Sequence, residues 1–171
     1  MKRLIALLVQ SVHLLAMVLC ALILIGSTKL MMLRRIPTNA SFWDLSHVGL
    51  GFVVALLSLL FLGKLCVHGR WRLYFPWLAL QWRPIIDDIK GLAKAKIPSA
   101  GGAGLFSLIE GFTVLSLVAT SATGTLWFFT QGSEAAASWR LWHHSAAHWF
   151  IGLLIVHVVC ALSHLIDMVR D

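Results

Sequence analysis

Charge is scarce in this sequence. Asp, Glu, Lys and Arg supply only 12% of 171 residues, while hydrophobic residues supply 59%. The mean hydropathy is +0.85. That balance excludes an ordinary soluble domain. Cysteine is equally sparing: Cys20, Cys66 and Cys160 all lie in or beside apolar segments. The absence of CxxCH excludes covalent c-type haem attachment, and the absence of CxxC removes the usual zinc or iron–sulfur pair. Each cysteine reads as a small packing residue. No internal repeat is visible and no stretch is long enough for a second domain, so residues 1–171 read as a single transmembrane domain. The net charge of +7 does not point to nucleic acid. No recognition motif accompanies it, and the basic residues cluster at the ends of the apolar segments.

Four apolar segments are present: Leu4 to Ile25, Leu45 to Leu65, Leu105 to Phe129 and Leu141 to Met168. Each meets the length of about 20 residues needed to cross hydrocarbon. Backbone groups find no water there, so all four are expected to be α-helices. The first follows Lys2 and Arg3 as a signal peptide would. Its apolar run exceeds a typical signal core, and no A-x-A site follows, so a retained helix is expected. Ten basic residues fall on the side of the termini and of the loop between segments two and three. Four (Lys29, Arg34, Arg35 and Arg140) fall on the other. The positive-inside rule then places both termini in the cytoplasm. The expected fold is an all-α integral membrane four-helix bundle.

The loop 64–104 carries a smaller element. From Pro84 to Lys94, the residues Ile85, Ile86, Ile89 and Leu92 share one face. Pro84 suits a helix start, and Asp87 and Asp88 suit a first turn. This predicts an interfacial helix on the cytoplasmic leaflet, followed by a flexible lead-in from Ser99 to Gly104.

Chemistry resides in the histidines. His143 and His157 stand fourteen residues apart on the last segment. Fourteen steps return to within about 40°, so both imidazoles point the same way, roughly 21 Å apart along the axis. His13 lies roughly 14 Å in from the cytoplasmic end of the first segment, and His157 roughly 15 Å in from the same side. His47 and His143 each fall in the first turn of their segments, on the far side. Two imidazole pairs in a helix bundle match the needs of two low-spin b haems stacked across the bilayer. Single intramembrane histidines can instead be interhelical hydrogen-bond partners; four at paired depths read as ligands.

His144 points well away from His157, which favours His143 as ligand. His148 suits a helix contact or an interfacial position, and His68 a solvated surface. His164 extends the His143–His157 stripe toward the cytoplasm, where it meets a haem propionate, a quinone or only the interface. Apart from Asp167 at the cytoplasmic end of the last segment, Glu110 is the one carboxylate inside a spanning segment. It either relays a proton to a quinone or reaches back to the interface. Gly51 and Gly152 would let a flat macrocycle approach the backbone, or serve close helix packing.

These residues resemble the bacterial cytochrome b561 / Ni-hydrogenase b-type cytochrome family, which includes formate dehydrogenase gamma subunits. The likeness spans nearly the whole chain. It rests on His13, on Ser46-His47-Val48-Gly49, on Trp142-His143 with His157, and on the stretch Pro84 to Pro98. The resemblance implies a di-haem b subunit with ligand pairs His13/His157 and His47/His143. It implies a bacterial inner-membrane location and electron transfer between a periplasmic redox enzyme or cytochrome and the membrane quinone pool. An electron-transfer subunit of an oxidoreductase complex is thus expected, with a stand-alone superoxide:quinone oxidoreductase as the alternative. Two departures stand out. Leu14 replaces a tryptophan common in the family. Gly104 to Glu110 lacks the Asn and Gln-Lys pair that the gamma subunits carry there.

Overall fold

In the computed structural model, backbone is described for residues 2–67, 70–94, 96–98 and 102–170, and side chains for 11–67, 70–94, 96–98 and 102–165. The expectations for His68 and for most of the lead-in at 99–101 lie outside these residues. The described chain is helical: α1 (Lys2–Ser27), α2 (Phe42–Cys66), α3 (Trp71–Tyr74), a 3₁₀ turn (Pro76–Ala79), α4 (Arg83–Leu92), α5 (Leu105–Phe129) and α6 (Glu134–Arg170). Three helices are long and apolar enough to cross a membrane: α2, α5 and Glu134–Leu165 of α6. The described apolar part of α1, Ser11–Ser27, is shorter.

The chain divides into two compact units, one of Met1–Phe61 with Leu117–Ala147 and the other of Leu62–Ser116 with His148–Asp171. In the first unit the buried side chains are few and mostly small, among them Ala16, Cys20, Val54, Leu57 and Ser58. Large apolar side chains point outward along the same helices, as at Ile25, Leu56 and Phe129. Helices that are apolar all round are at home in lipid. Two buried hydroxyls are satisfied within their own helices: Ser58 Oγ donates to the Ala55 carbonyl at 2.8 Å, and Thr113 Oγ1 to Ile109 at 2.8 Å. Hydrocarbon offers no other partner.

Helix α6 starts at Glu134, seven residues before the apolar pattern begins. Gly132 turns the chain with φ +80°, a left-handed conformation that glycine adopts without steric cost. The alanine run 135–137 then favours helix immediately. This corrects the expected depth of His143. It lies nine residues into α6, roughly 14 Å from the helix start, not in the first turn.

Helix α2 opens at a capping box. Ser41 Oγ accepts from the Asp44 amide at 3.1 Å, and Asp44 Oδ2 accepts from the Ser41 amide at 3.0 Å. Such reciprocal bonds satisfy donors that a helix start leaves open. Asp44 Oδ1 also accepts from the Met31 amide at 2.9 Å, which ties the loop after α1 to this turn. The same loop is fastened to the α5–α6 turn. Trp127 Nε1 donates to the Leu33 carbonyl at 3.1 Å, and the Gly132 amide to Arg34 at 3.0 Å.

In the second unit, the segment 71–79 packs on α5. Gly111 makes this approach possible, because a Cβ there would run into the Tyr74 carbonyl. Trp77 stacks on Phe112 with centroids 4.6 Å apart and planes at 12°. Leu80, at φ 54°, redirects the chain into α4. That helix forms where the sequence predicted one, but of the four residues expected to share a face it buries Ile85 and exposes Ile86, Ile89 and Leu92. Asp88 caps α5 from α4: its Oδ2 accepts from the Leu105 amide at 2.7 Å, a carboxylate at the positive end of the helix dipole.

Candidate functional site

His47 and His143 come together in the first unit. Their ring centroids are 6.1 Å apart and their planes are perpendicular. His47 reaches the site from the second turn of α2, just past the Asp44 box. His143 reaches it from the third turn of α6. Both side chains are half-buried.

Helix α5 holds the His143 ring. His143 Nδ1 lies 2.9 Å from the Thr120 carbonyl. A carbonyl only accepts, so Nδ1 carries the proton and Nε2 carries the lone pair. One turn along α5, Gly124 leaves room for the ring: a Cβ there would sit 3.0 Å from Nδ1 and 3.1 Å from Cε1. His47 differs, since its Nδ1 is buried with no hydrogen-bond partner. An unsatisfied buried polar group costs about 1–3 kcal/mol.

This arrangement fits a metal held between two imidazoles. A metal–imidazole bond of about 2 Å, plus about 1 Å from that nitrogen to the ring centre, makes an arm of about 3 Å. Two such arms span about 6 Å, close to the observed separation. Nδ1–H bonded to a backbone carbonyl is the usual support of a ligating histidine. Among the described residues, no three His, Cys, Asp or Glu side chains gather as a bare metal ion would need. Two imidazoles are the donor set with which a protein holds a haem iron, whose remaining ligands come with the macrocycle.

The family model of prokaryotic cytochrome b561 matches residues 5–167. The chain belongs to the prokaryotic cytochrome b561 family. Membership makes it a membrane b-type cytochrome of electron transfer, with b-type haem as the implied cofactor. No curated protein and no solved structure matches the cytochrome.

The other expected residues lie as follows. In the first unit, His13 stacks on Phe61 of α2 with centroids 5.5 Å apart and planes at 26°. His144 sets its ring 6.4 Å from that of His143 and is exposed. In the second unit, His157, His164 and Glu110 are half-buried, while His148 is exposed. Glu110 acts on Tyr74. Burial and then the Glu110 charge push the Tyr74 hydroxyl above its ordinary pKa, opposed by Arg70, which donates to it at 3.2 Å. Gly51 and Gly152 open onto space, with nothing within 4 Å of an added Cβ.

Two contributors at the His47–His143 pair escaped the sequence reading. Thr120 acts through its backbone carbonyl, which no side-chain motif marks. Gly124 lies four residues after Thr120, one turn along the same helix face, and that spacing was a visible signal. The box Ser41-x-x-Asp44 was visible too.

Proposed function

We propose that this cytochrome is a di-haem electron-transfer subunit that spans the bacterial inner membrane four times, with both termini in the cytoplasm. It passes electrons between a periplasmic redox partner and the membrane quinone pool. His47 and His143 hold one b haem, and His13 and His157 the other. Bound haem supplies one-electron Fe(III)/Fe(II) chemistry. The protein supplies imidazole ligation, fixed orientation and a dry apolar surrounding.

One observation carries this reading. His47 and His143 stand at the separation two metal–imidazole arms need, and the Thr120 carbonyl sets the His143 tautomer for ligation through Nε2. The pair His13/His157 rests on matched depth in the sequence and on the family's pattern. His164 and Glu110 are proposed to meet the quinone. Glu110 acts there as a proton acceptor, with Tyr74 and Arg70 setting its surroundings.

The test is a dithionite-reduced-minus-oxidised spectrum of the purified protein with haem quantified per chain. Two b haems are expected in the wild type and one in His47→Ala. A colourless wild type, or two haems surviving in His47→Ala, would falsify the assignment.

A further inference from the structure

A cavity of about 620 Å³ in the first unit has no part in the electron-transfer reading. Its lining includes Arg34, Arg35 and Arg140, with Met31, Leu33 and Thr38. The volume falls in the range of small-molecule sites, about 300–1,000 Å³. It lies between the loop 28–41 and the first two turns of α6, at the end of the unit where α2 and α6 begin.

Its walls are fixed. The Leu33 and Arg34 carbonyls are bonded to Trp127 and Gly132. The Ile36 amide donates to Gln131 Oε1 at 3.0 Å, and the Met31 amide to Asp44. The backbone of the Arg34-Arg35 pair is therefore held on both sides, so binding has to order only the side chains.

The charge is uncompensated. Among the described residues, none of the three guanidinium groups makes a hydrogen bond or ion pair. Among the described residues, no carboxylate lines the cavity. Three like charges around one cavity favour an anion within it. A carboxylate offers two oxygens, enough for one guanidinium fork; a phosphate has oxygens for several. Met31 and Leu33 are 66% and 63% exposed on the same rim. A cationic cradle with an apolar rim, at the end of membrane-spanning helices, matches an anionic head group with acyl chains below.

We propose that Arg34, Arg35 and Arg140 form a phosphate-binding site, filled by an anionic phospholipid head group or by free phosphate. The site does not depend on haem. Native mass spectrometry of the full-length protein would compare retention of phosphatidylglycerol and phosphatidylcholine. Thermal unfolding in detergent would be followed with added inorganic phosphate. The variants are Arg34→Gln, Arg35→Gln and the triple Arg34→Gln/Arg35→Gln/Arg140→Gln. The single exposed-loop variants read the site should the triple variant not fold.

Preferential retention of phosphatidylglycerol, weakened roughly tenfold for each guanidinium removed, identifies the lipid source. A phosphate-dependent rise in the unfolding temperature that the variants lose, without lipid preference, identifies free phosphate. Wild type without preference for phosphatidylglycerol and without response to phosphate overturns the proposal. So does a preference or response unchanged in the variants.

Discussion

Gly124→Ala is the sharpest perturbation of the histidine pair. The new Cβ would lie 3.0 Å from His143 Nδ1 and 3.1 Å from Cε1, well inside ordinary van der Waals contact. The ring must retreat by about 0.4 Å or more to restore it. Retreat from α5 lengthens the 2.9 Å contact with the Thr120 carbonyl beyond about 3.2 Å, where such bonds weaken. The loss is about 0.5–1.5 kcal/mol. A carbonyl-bonded imidazole is the more basic ligand and favours the ferric state. Weakening that bond should therefore raise the midpoint potential of the haem proposed at His47 and His143. Only the part of that loss that differs between the ferric and ferrous states shifts the potential, so with about 59 mV per tenfold for one electron the rise is expected to be at most about 60 mV. A spectroelectrochemical titration of wild type and Gly124→Ala reads this directly, with the second haem proposed at His13/His157 as internal reference. An unchanged potential at full haem content would show that Thr120 and Gly124 do not set this ligand.

Two further outcomes follow from the structure. Asp44→Ala removes the acceptor for the Met31 amide and for both Ser41 donors, and should cost about 2–4 kcal/mol. Asp44→Asn keeps one oxygen and should cost less, so equal losses in thermal unfolding would refute the network. Tyr74 has its pKa raised by burial and by Glu110. The neutral hydroxyl is the favoured folded form, so the unfolded chain ionises first. Its contribution is fully present below the unfolded value of about 10 and is lost as pH rises through the folded value. The unfolding temperature should decline above about pH 10, and less steeply in Tyr74→Phe; parallel profiles would sink this reading.

The sequence made the helices legible because lipid imposes one simple rule: backbone groups must be satisfied within each apolar run. The bounds of α5 were read to the residue. The start of α6 was not, since Glu134 to Arg140 is polar enough to resemble a loop, and only the Gly132 turn and the alanine run begin a helix there. The amphipathic α4 was equally readable, because its period shows in Ile85, Ile86 and Ile89.

The histidines were legible as candidates, since imidazole is rare and costly in hydrocarbon. By itself the sequence determined helical class, basic ends and which histidines fall within apolar segments, which are properties of position along one chain. Only the tertiary structure decided that the Thr120 carbonyl meets His143, that Gly124 admits its ring, and that Arg34, Arg35 and Arg140 line one cavity. Each of these joins segments far apart in sequence. Periodicity fixes the face on which a residue lies, but not the neighbouring backbone that face will meet.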